Sequence, residues 1–265
     1  MKTRMTFSKK DLVVVLGIVL LVIMNIGAIN STGRRRAKEM VCLSNLRKWG
    51  TMFEMFTNEN NGYFNTGDTD YMGGWVGGTG LWMNALRPYY KNNSALLLCP
   101  EAPSRANNFS GTFTAWRRDE LDGSSQSTVG SYGINSWTNN MTNNRGVRLE
   151  EWSWKNVRNI SNKNNIPLLL DSTWYGAWPT YTDSPPLYNG ELAMGTYNEM
   201  KHFCINRHNG GVNVLFMDWS TRKIGLKELW TLKWHRSFYT GGPYTRAGGV
   251  WDSDWPSWMR NFKEY

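Results

Sequence analysis

Histidine and cysteine are scarce in this sequence, with three of each among 265 residues. The chain contains no His-Glu-x-x-His zinc-protease pattern, no Gly-x-Ser-x-Gly nucleophile elbow, no Walker loop and no Cys-x-x-Cys pair. These absences exclude the hydrolases, P-loop proteins and thioredoxin-type oxidoreductases that such motifs define. The sequence therefore predicts a protein that is not an enzyme and has no resident cofactor.

Acidic residues are almost missing from the N-terminal region, where the excess of positive charge is concentrated. Residues 1–38 hold eight basic side chains and one acidic side chain, Asp11, so they carry +7 of the formal net charge of +9. The rest of the chain has 22 basic and 20 acidic side chains. Because that part has no excess of positive charge for a polyanion, we expect no nucleic-acid partner.

Charged residues are also absent from Leu12–Ile29, an apolar run that contains one polar residue, Asn25. As a helix it would be about 27 Å long, close to the hydrocarbon core of about 30 Å. The alternative is a cleaved secretory signal, whose apolar region is normally shorter, about 7–15 residues. The run predicts a retained transmembrane helix, with a membrane as one partner.

This helix defines the predicted domain plan. Residues 1–11 form a basic leader, 12–29 the transmembrane helix, 30–60 an amphipathic extension of it, and 61–265 an exported globular domain. Basic residues flank the run on both sides, so the positive-inside rule only weakly favours a cytoplasmic N-terminus. We expect a single-pass inner-membrane protein with its bulk in the periplasm or at the cell surface.

The segment after the apolar run has the spacing of a second helix. Leu43, Leu46, Phe53 and Phe56 recur at three- and four-residue intervals, which indicates one face to bury. Asn58–Gly62 ends the pattern, with Gly62 as the expected cap.

Short strands and long loops follow. The apolar segments 96–99, 166–170 and 212–217 read as strands, and 218–220 turns the last of them toward 221–224. The order predicts an α+β fold, in which a long N-terminal helix packs on one small antiparallel sheet with long loops.

These features resemble a known family, the type II secretion G-like pseudopilins of the planctomycete and verrucomicrobial type, which carry a prepilin-type N-terminus. Phe7–Leu12 stands before the apolar run, where that family has its Gly-Phe-Thr-Leu-Ile-Glu-Leu motif. Similar landmarks follow in the expected order: Val41–Arg47, Asn58–Phe64, Leu98–Pro100, Ser131–Asn135, Leu169–Ser172 and Arg207–Asp218. The last contains the family's histidine–nine residues–Asp-Gly signature, with Trp219 in place of the glycine.

The resemblance implies a pilin-like fold and a structural role. The chain would be a pseudopilin-like subunit of a type II secretion or type IV pilus-like filament, forming homo- or hetero-oligomers with other pilin-like subunits. Leader cleavage would fall between Thr6 and Phe7, and Asp11 would be the carboxylate that meets the neighbouring subunit's terminal amine. Thr6 stands where the family has glycine, so we expect inefficient cleavage.

His208 and Asp218 are the ends of the signature. They flank one predicted strand and would lie about 30 Å apart along an extended chain, so they do not form a catalytic dyad. We expect each to order a loop by hydrogen bonds to the backbone. Asp171 would meet Asp218 if their strands pair, and such a carboxylate pair could hold a cation.

Two acidic loops, Asp68–Asp70 and Asp252–Asp254, have some character of a calcium site. Neither has the rest of an EF-hand loop, so solvated turns explain them better. We therefore expect no metal, with bound calcium as the alternative.

Tryptophan is abundant, with 15 residues. Indole rings stack on sugars, which supports a second hypothesis: a membrane-tethered binding module with a Trp-rich surface for a glycan or a protein. The pairs Trp75 and Trp82, and Trp174 and Trp178, and the group Trp251, Trp255 and Trp258 are candidates. Core packing is the preferred interpretation, because a loop-rich domain needs large side chains to cover its loops.

Three cysteines in an oxidising compartment allow one bridge. Cys42 lies on the amphipathic helix, and Cys99 ends a strand that should pack near it. We expect a Cys42–Cys99 disulfide, with Cys204 left as a thiol.

Overall fold

The structure, a computed structural model, describes residues 8–67, 80–104, 110–118, 127–193, 195 and 197–265, without the side chains of residues 22–31. The chain divides into two compact units, Met1–Lys38 and Glu39–Tyr265. Among the described residues there are three α-helices: α1 (Lys9–Glu59), α2 (Trp82–Ala85) and α3 (Arg87–Tyr90).

The larger unit holds two sheets. Their strands are β1 (Trp116–Arg118), β2 (Thr128–Gly130), β3 (Tyr132–Asn135), β4 (Pro167–Asp171), β5 (Gly176–Ala177), β6 (Gly211–Phe216) and β7 (Thr221–Gly225). β1 and β2 pair alone, and the others form a five-stranded sheet in the order β5-β3-β4-β6-β7. All pairings are antiparallel except that of β3 with β5, which is parallel.

The α+β class is therefore present, but the prediction of one small antiparallel sheet was wrong. The predicted strands at 166–170, 212–217 and 221–224 correspond to β4, β6 and β7. The predicted strand at 96–99 is instead the end of a 3₁₀ turn, Ser94–Leu97, followed by an extended residue. β3 and β5 lie in polar, turn-rich sequence, where no periodic pattern marks a strand.

The transmembrane prediction for 12–29 was also wrong, and with it the single-pass inner-membrane location. Across the part of the chain that the structure describes, no helix has a stretch long and apolar enough to span a bilayer.

The second half of α1 packs by the face that its spacing predicts. Leu46, Trp49 and Phe53 are fully buried, whereas Met55 on the other face is about half exposed. A Cβ on Gly50 would lie 3.0 Å from Leu215 Cδ1 and 3.4 Å from the Trp219 carbonyl oxygen. Glycine at this position therefore allows the helix to approach the sheet closely.

Tryptophan side chains close the loops over this core, as the preferred interpretation of their abundance expects. Among the described residues, eight indole N–H groups donate to backbone carbonyls: those of Trp49, Trp82, Trp116, Trp137, Trp154, Trp230, Trp234 and Trp258. Backbone carbonyls are costly to bury unpaired. Each indole therefore adds buried apolar area and donates to one carbonyl.

Substitution on the two faces of α1 tests this packing. We expect Phe53→Ala to lower the free energy of unfolding by about 3–5 kcal/mol, because it removes a fully buried ring and leaves a cavity. Met55→Ala on the exposed face should change it by less than about 0.5 kcal/mol. Urea unfolding of both variants measures the difference, and equal effects would contradict the assignment of the buried face.

Candidate functional site

Four polar side chains from four separate segments meet inside the larger unit. Cys42 lies on α1, Cys99 follows the 3₁₀ turn, Asp171 ends β4 and His208 lies in the turn before β6. All four are buried, and their potential ligand atoms lie within 4.8 Å of one another. We call these residues the Cys–His–Asp cluster.

Short contacts link the members of the cluster. His208 Nε2 lies 3.1 Å from Asp171 Oδ2 and 3.4 Å from Cys99 Sγ. Cys42 Sγ lies 3.7 Å from each oxygen of Asp171. The Tyr132 hydroxyl donates to Cys42 Sγ at 3.3 Å.

Arg207 holds the carboxylate from the other side. Its guanidinium is fully buried and lies 3.2 Å from Asp171 Oδ1. It also donates to four backbone carbonyls, those of Gly111, Thr112, Ser131 and Ser172. The Asn213 N–H donates to Asp171 Oδ2 at 2.9 Å. The carboxylate therefore has a partner on both oxygens.

The neighbouring charges shift the pKa values of Asp171 and His208 in opposite directions. Burial favours a neutral Asp171, but His208 and Arg207 outweigh it and hold the pKa of that carboxyl well below its usual range. Burial likewise opposes a charged His208, yet the Asp171 carboxylate and Cys99 raise its pKa to about 10. Burial raises the pKa of the Cys42 thiol. For Cys99, contacts with Cys42, His208 and Arg207 outweigh burial and lower the pKa.

The structure separates the two ends of the predicted signature. Asp218 is exposed, and its Oδ1 accepts from the Ser220 N–H at 3.0 Å, as expected of a residue that orders a turn. His208 instead joins the cluster. β4 and β6 do pair, but they run antiparallel, with Pro167 opposite Phe216. Asp171 therefore lies at the other end of β6 from Asp218, and the two carboxylates do not meet.

The two cysteines of the predicted disulfide lie close together, with Sγ atoms no more than 4.8 Å apart. Cys42 and Cys99 are neighbours, but both are free thiols in this structure, as is Cys204. The bridge itself therefore stays a prediction. Asp171 and His208 join these two cysteines, and no sequence signal predicts this, because the four residues have no common spacing.

The remaining predicted positions fall elsewhere. Thr6 and Phe7 lie outside the described residues, as do Asp68–Asp70 and Trp75. Asp11 is exposed, accepts from the Ser8 N–H at 2.9 Å, and donates its own N–H to Ser8 Oγ at 3.3 Å. This reciprocal pair caps the start of α1. Asp252–Asp254 is a 3₁₀ turn in which Asp254 accepts from the Trp251 N–H.

A second feature is a pocket of about 180 Å³ beside β3 and β5. Aromatic side chains form part of its lining: Trp82, Trp174, Tyr175 and Trp178. Polar side chains form another part: Asn65, Asn139, Arg145, Arg148, Glu199 and His202. We call it the aromatic pocket.

Charged groups in the aromatic pocket are held in place. Arg148 pairs with Glu199 and lies 5.1 Å over the Trp178 ring. The second Glu199 oxygen accepts from the Trp178 N–H at 2.7 Å. Burial lowers the pKa of His202 to about 4, so its ring is neutral at ordinary pH. The pocket thus presents aromatic rings beside fixed polar groups.

A scan against protein-family models, a search of curated proteins and a search of solved structures find no match to this chain. The resemblance to pseudopilins therefore stays a prediction, and function has to be argued from the geometry.

The buried ring of His235 predicts that the protein loses stability in acid. Burial, with the Lys233 charge, lowers the pKa of His235 to about 3, and its ring lies between Trp137 and Trp152. Because the unfolded chain titrates near about 6.5, stability is lost as the pH falls below that value. His235→Phe should remove about 2 kcal/mol of the loss in unfolding free energy between about pH 7 and 5. Urea unfolding at both pH values measures it, and an unchanged loss would contradict the depressed pKa.

Proposed function

We propose that this protein is a pilin-like structural subunit that assembles with copies of itself through the start of α1. The observation that carries the proposal is the exposure of the apolar stretch Leu12–Leu21. Its nine large hydrophobic side chains are 46–68% exposed. They point in all directions around the helix, so the helix is apolar on every side along this stretch.

The energetics of this stretch favour a partner. A helix that is apolar all round is stable when it is buried, because exposed apolar area is costly in water. Full burial of one Leu, Val or Ile side chain is worth about 1.5–3 kcal/mol. Identical helices from several copies supply that burial for one another.

Different parts of α1 are available for folding and for contacts between copies. The larger unit buries Leu46, Trp49 and Phe53 farther along α1, which leaves the exposed stretch for contacts between copies. Asp11 at its start presents an exposed carboxylate. Such a group suits the terminal amine of a neighbouring subunit, the role that the resemblance implies.

Charge substitution in the exposed stretch tests the proposal. We expect the full-length protein to form concentration-dependent assemblies in sedimentation velocity, and Leu16→Lys with Leu20→Lys to return it to a monomer. Lysine in a helix–helix contact opposes packing, since its charge would be desolvated.

The matched control places the same two charges at exposed positions of α1 outside the stretch Leu12–Leu21. Met40→Lys with Met55→Lys should leave the assemblies intact, because these side chains lie outside the apolar stretch. A wild-type protein that stays monomeric at high concentration, or equal loss in both double variants, would rule out assembly through this segment.

The aromatic pocket supports a second candidate function, a binding module for a carbohydrate. Pockets that combine aromatic walls with a few fixed polar groups are typical of small-ligand sites. Asn65 in the lining keeps an Oδ1 acceptor without a hydrogen-bond partner among the described residues. Aromatic faces and amide groups together suit a sugar ring and its hydroxyls.

Calorimetry with a panel of neutral oligosaccharides tests this candidate on the full chain. We expect Trp174→Ala to weaken binding of any active sugar at least tenfold, since it removes one pocket wall. Trp251→Ala is the control, because Trp251 is 75% exposed and lies outside the pocket lining. No binding across the panel, or equal losses in both variants, would exclude a sugar site here.

A further inference from the structure

The Cys–His–Asp cluster supports an inference that is independent of assembly. Two thiols, one imidazole and one carboxylate converge from four segments far apart in the chain. Each of the four is buried and offers one ligand atom. Thiolate and imidazole are the ligands that zinc prefers, whereas calcium prefers an all-oxygen shell. The chemistry of the set therefore points to zinc.

The distances agree with one shared tetrahedral ion. With zinc–sulfur bonds of about 2.3 Å and bonds to nitrogen or oxygen of about 2.0–2.2 Å, ligand atoms lie about 3.3–3.8 Å apart. The cluster has 3.4 Å between Cys99 Sγ and His208 Nε2 and 3.7 Å between Cys42 Sγ and Asp171. His208 Nε2 and Asp171 Oδ2 are 3.1 Å apart. These three separations lie within a few tenths of an ångström of a tetrahedral shell, and all four ligand atoms lie within 4.8 Å of one another.

The surroundings balance the charge of such a site. Two thiolates and the Asp171 carboxylate would carry three negative charges, and a divalent cation with Arg207 carries three positive ones. Arg207 and the Asn213 N–H hold the carboxylate, and the Tyr132 hydroxyl donates to Cys42 Sγ. These contacts orient ligands in the way that outer-shell partners do in zinc proteins.

We propose that Cys42, Cys99, Asp171 and His208 form a structural zinc centre that joins α1 to the five-stranded sheet. All four positions of the ion are filled by protein, which is the arrangement of closed structural sites. Zinc binding replaces the two thiol protons and the proton on His208, and these are released to solvent. The centre needs no redox step.

Metal content and cobalt spectroscopy of the full-length protein test the proposal. We expect one zinc per chain by elemental analysis after purification with zinc in the medium. Replacement by Co²⁺ should give the visible absorption bands of tetrahedral cobalt and the charge-transfer band of cobalt–thiolate bonds. The cobalt spectrum is recorded on the unaltered chain, so it does not depend on whether a variant folds.

Substitution then assigns the ligands. Cys99→Ser and His208→Gln should each weaken zinc binding at least 100-fold in a chelator competition. Cys204→Ser is the matched control, because Cys204 is equally buried but contacts Met259 outside the cluster. It should keep one zinc per chain.

Three results would overturn the proposal. One is a Cys42–Cys99 disulfide in non-reducing peptide mapping of protein purified from its cells. A second is free thiols with less than a tenth of an equivalent of zinc and no cobalt–thiolate band. A third is the same zinc affinity for His208→Gln and Cys204→Ser in the chelator competition.

Discussion

The structure depends on how one buried carboxylate is neutralised. Asp171 is fully enclosed at the end of β4, where an unpaired charge would cost several kcal/mol. Arg207, His208 and the Asn213 N–H share that charge. These partners come from the turn before β6 and from β6 itself. Their bonds to Asp171 therefore hold the end of β4 against β6.

The groups around Asp171 also hold the loops beside the sheet in place. Arg207 donates to carbonyls at residues 111, 112, 131 and 172, so one guanidinium ties three loop segments to β4. Cys42 brings α1 to the carboxylate, and Gly50 lets the next turns of that helix touch β6. Elsewhere the indole N–H groups donate to backbone carbonyls, most of them in loops. A domain with short strands is thus stabilised by side-chain-to-backbone bonds as well as by its core.

In the proposed assembly, the contacts between copies and the folding of each chain would use different residues. The larger unit is built around the cluster, the sheet and the buried face of α1, while the stretch Leu12–Leu21 is exposed. A zinc ion in the cluster would strengthen the join of α1 to the sheet, and self-association would use side chains that fold nothing in the single chain. The aromatic pocket is lined by other residues of the larger unit, on β3, β5 and the turn that carries Glu199.

The sequence by itself determined the elements whose side-chain spacing is local. The buried face of α1 follows from its apolar periodicity, and β4 and β6 follow from apolar and β-branched runs that are buried on both sides. The prediction that the apolar run at 12–29 crosses a membrane was wrong, because hydropathy alone does not say what surrounds an apolar helix. Only the tertiary structure decided the rest. β3 and β5 are strands because neighbours pair with them, and Asp171 and His208 belong with Cys42 and Cys99 because four distant segments fold onto one point. Such contacts depend on chain topology, which leaves no fixed spacing in the sequence.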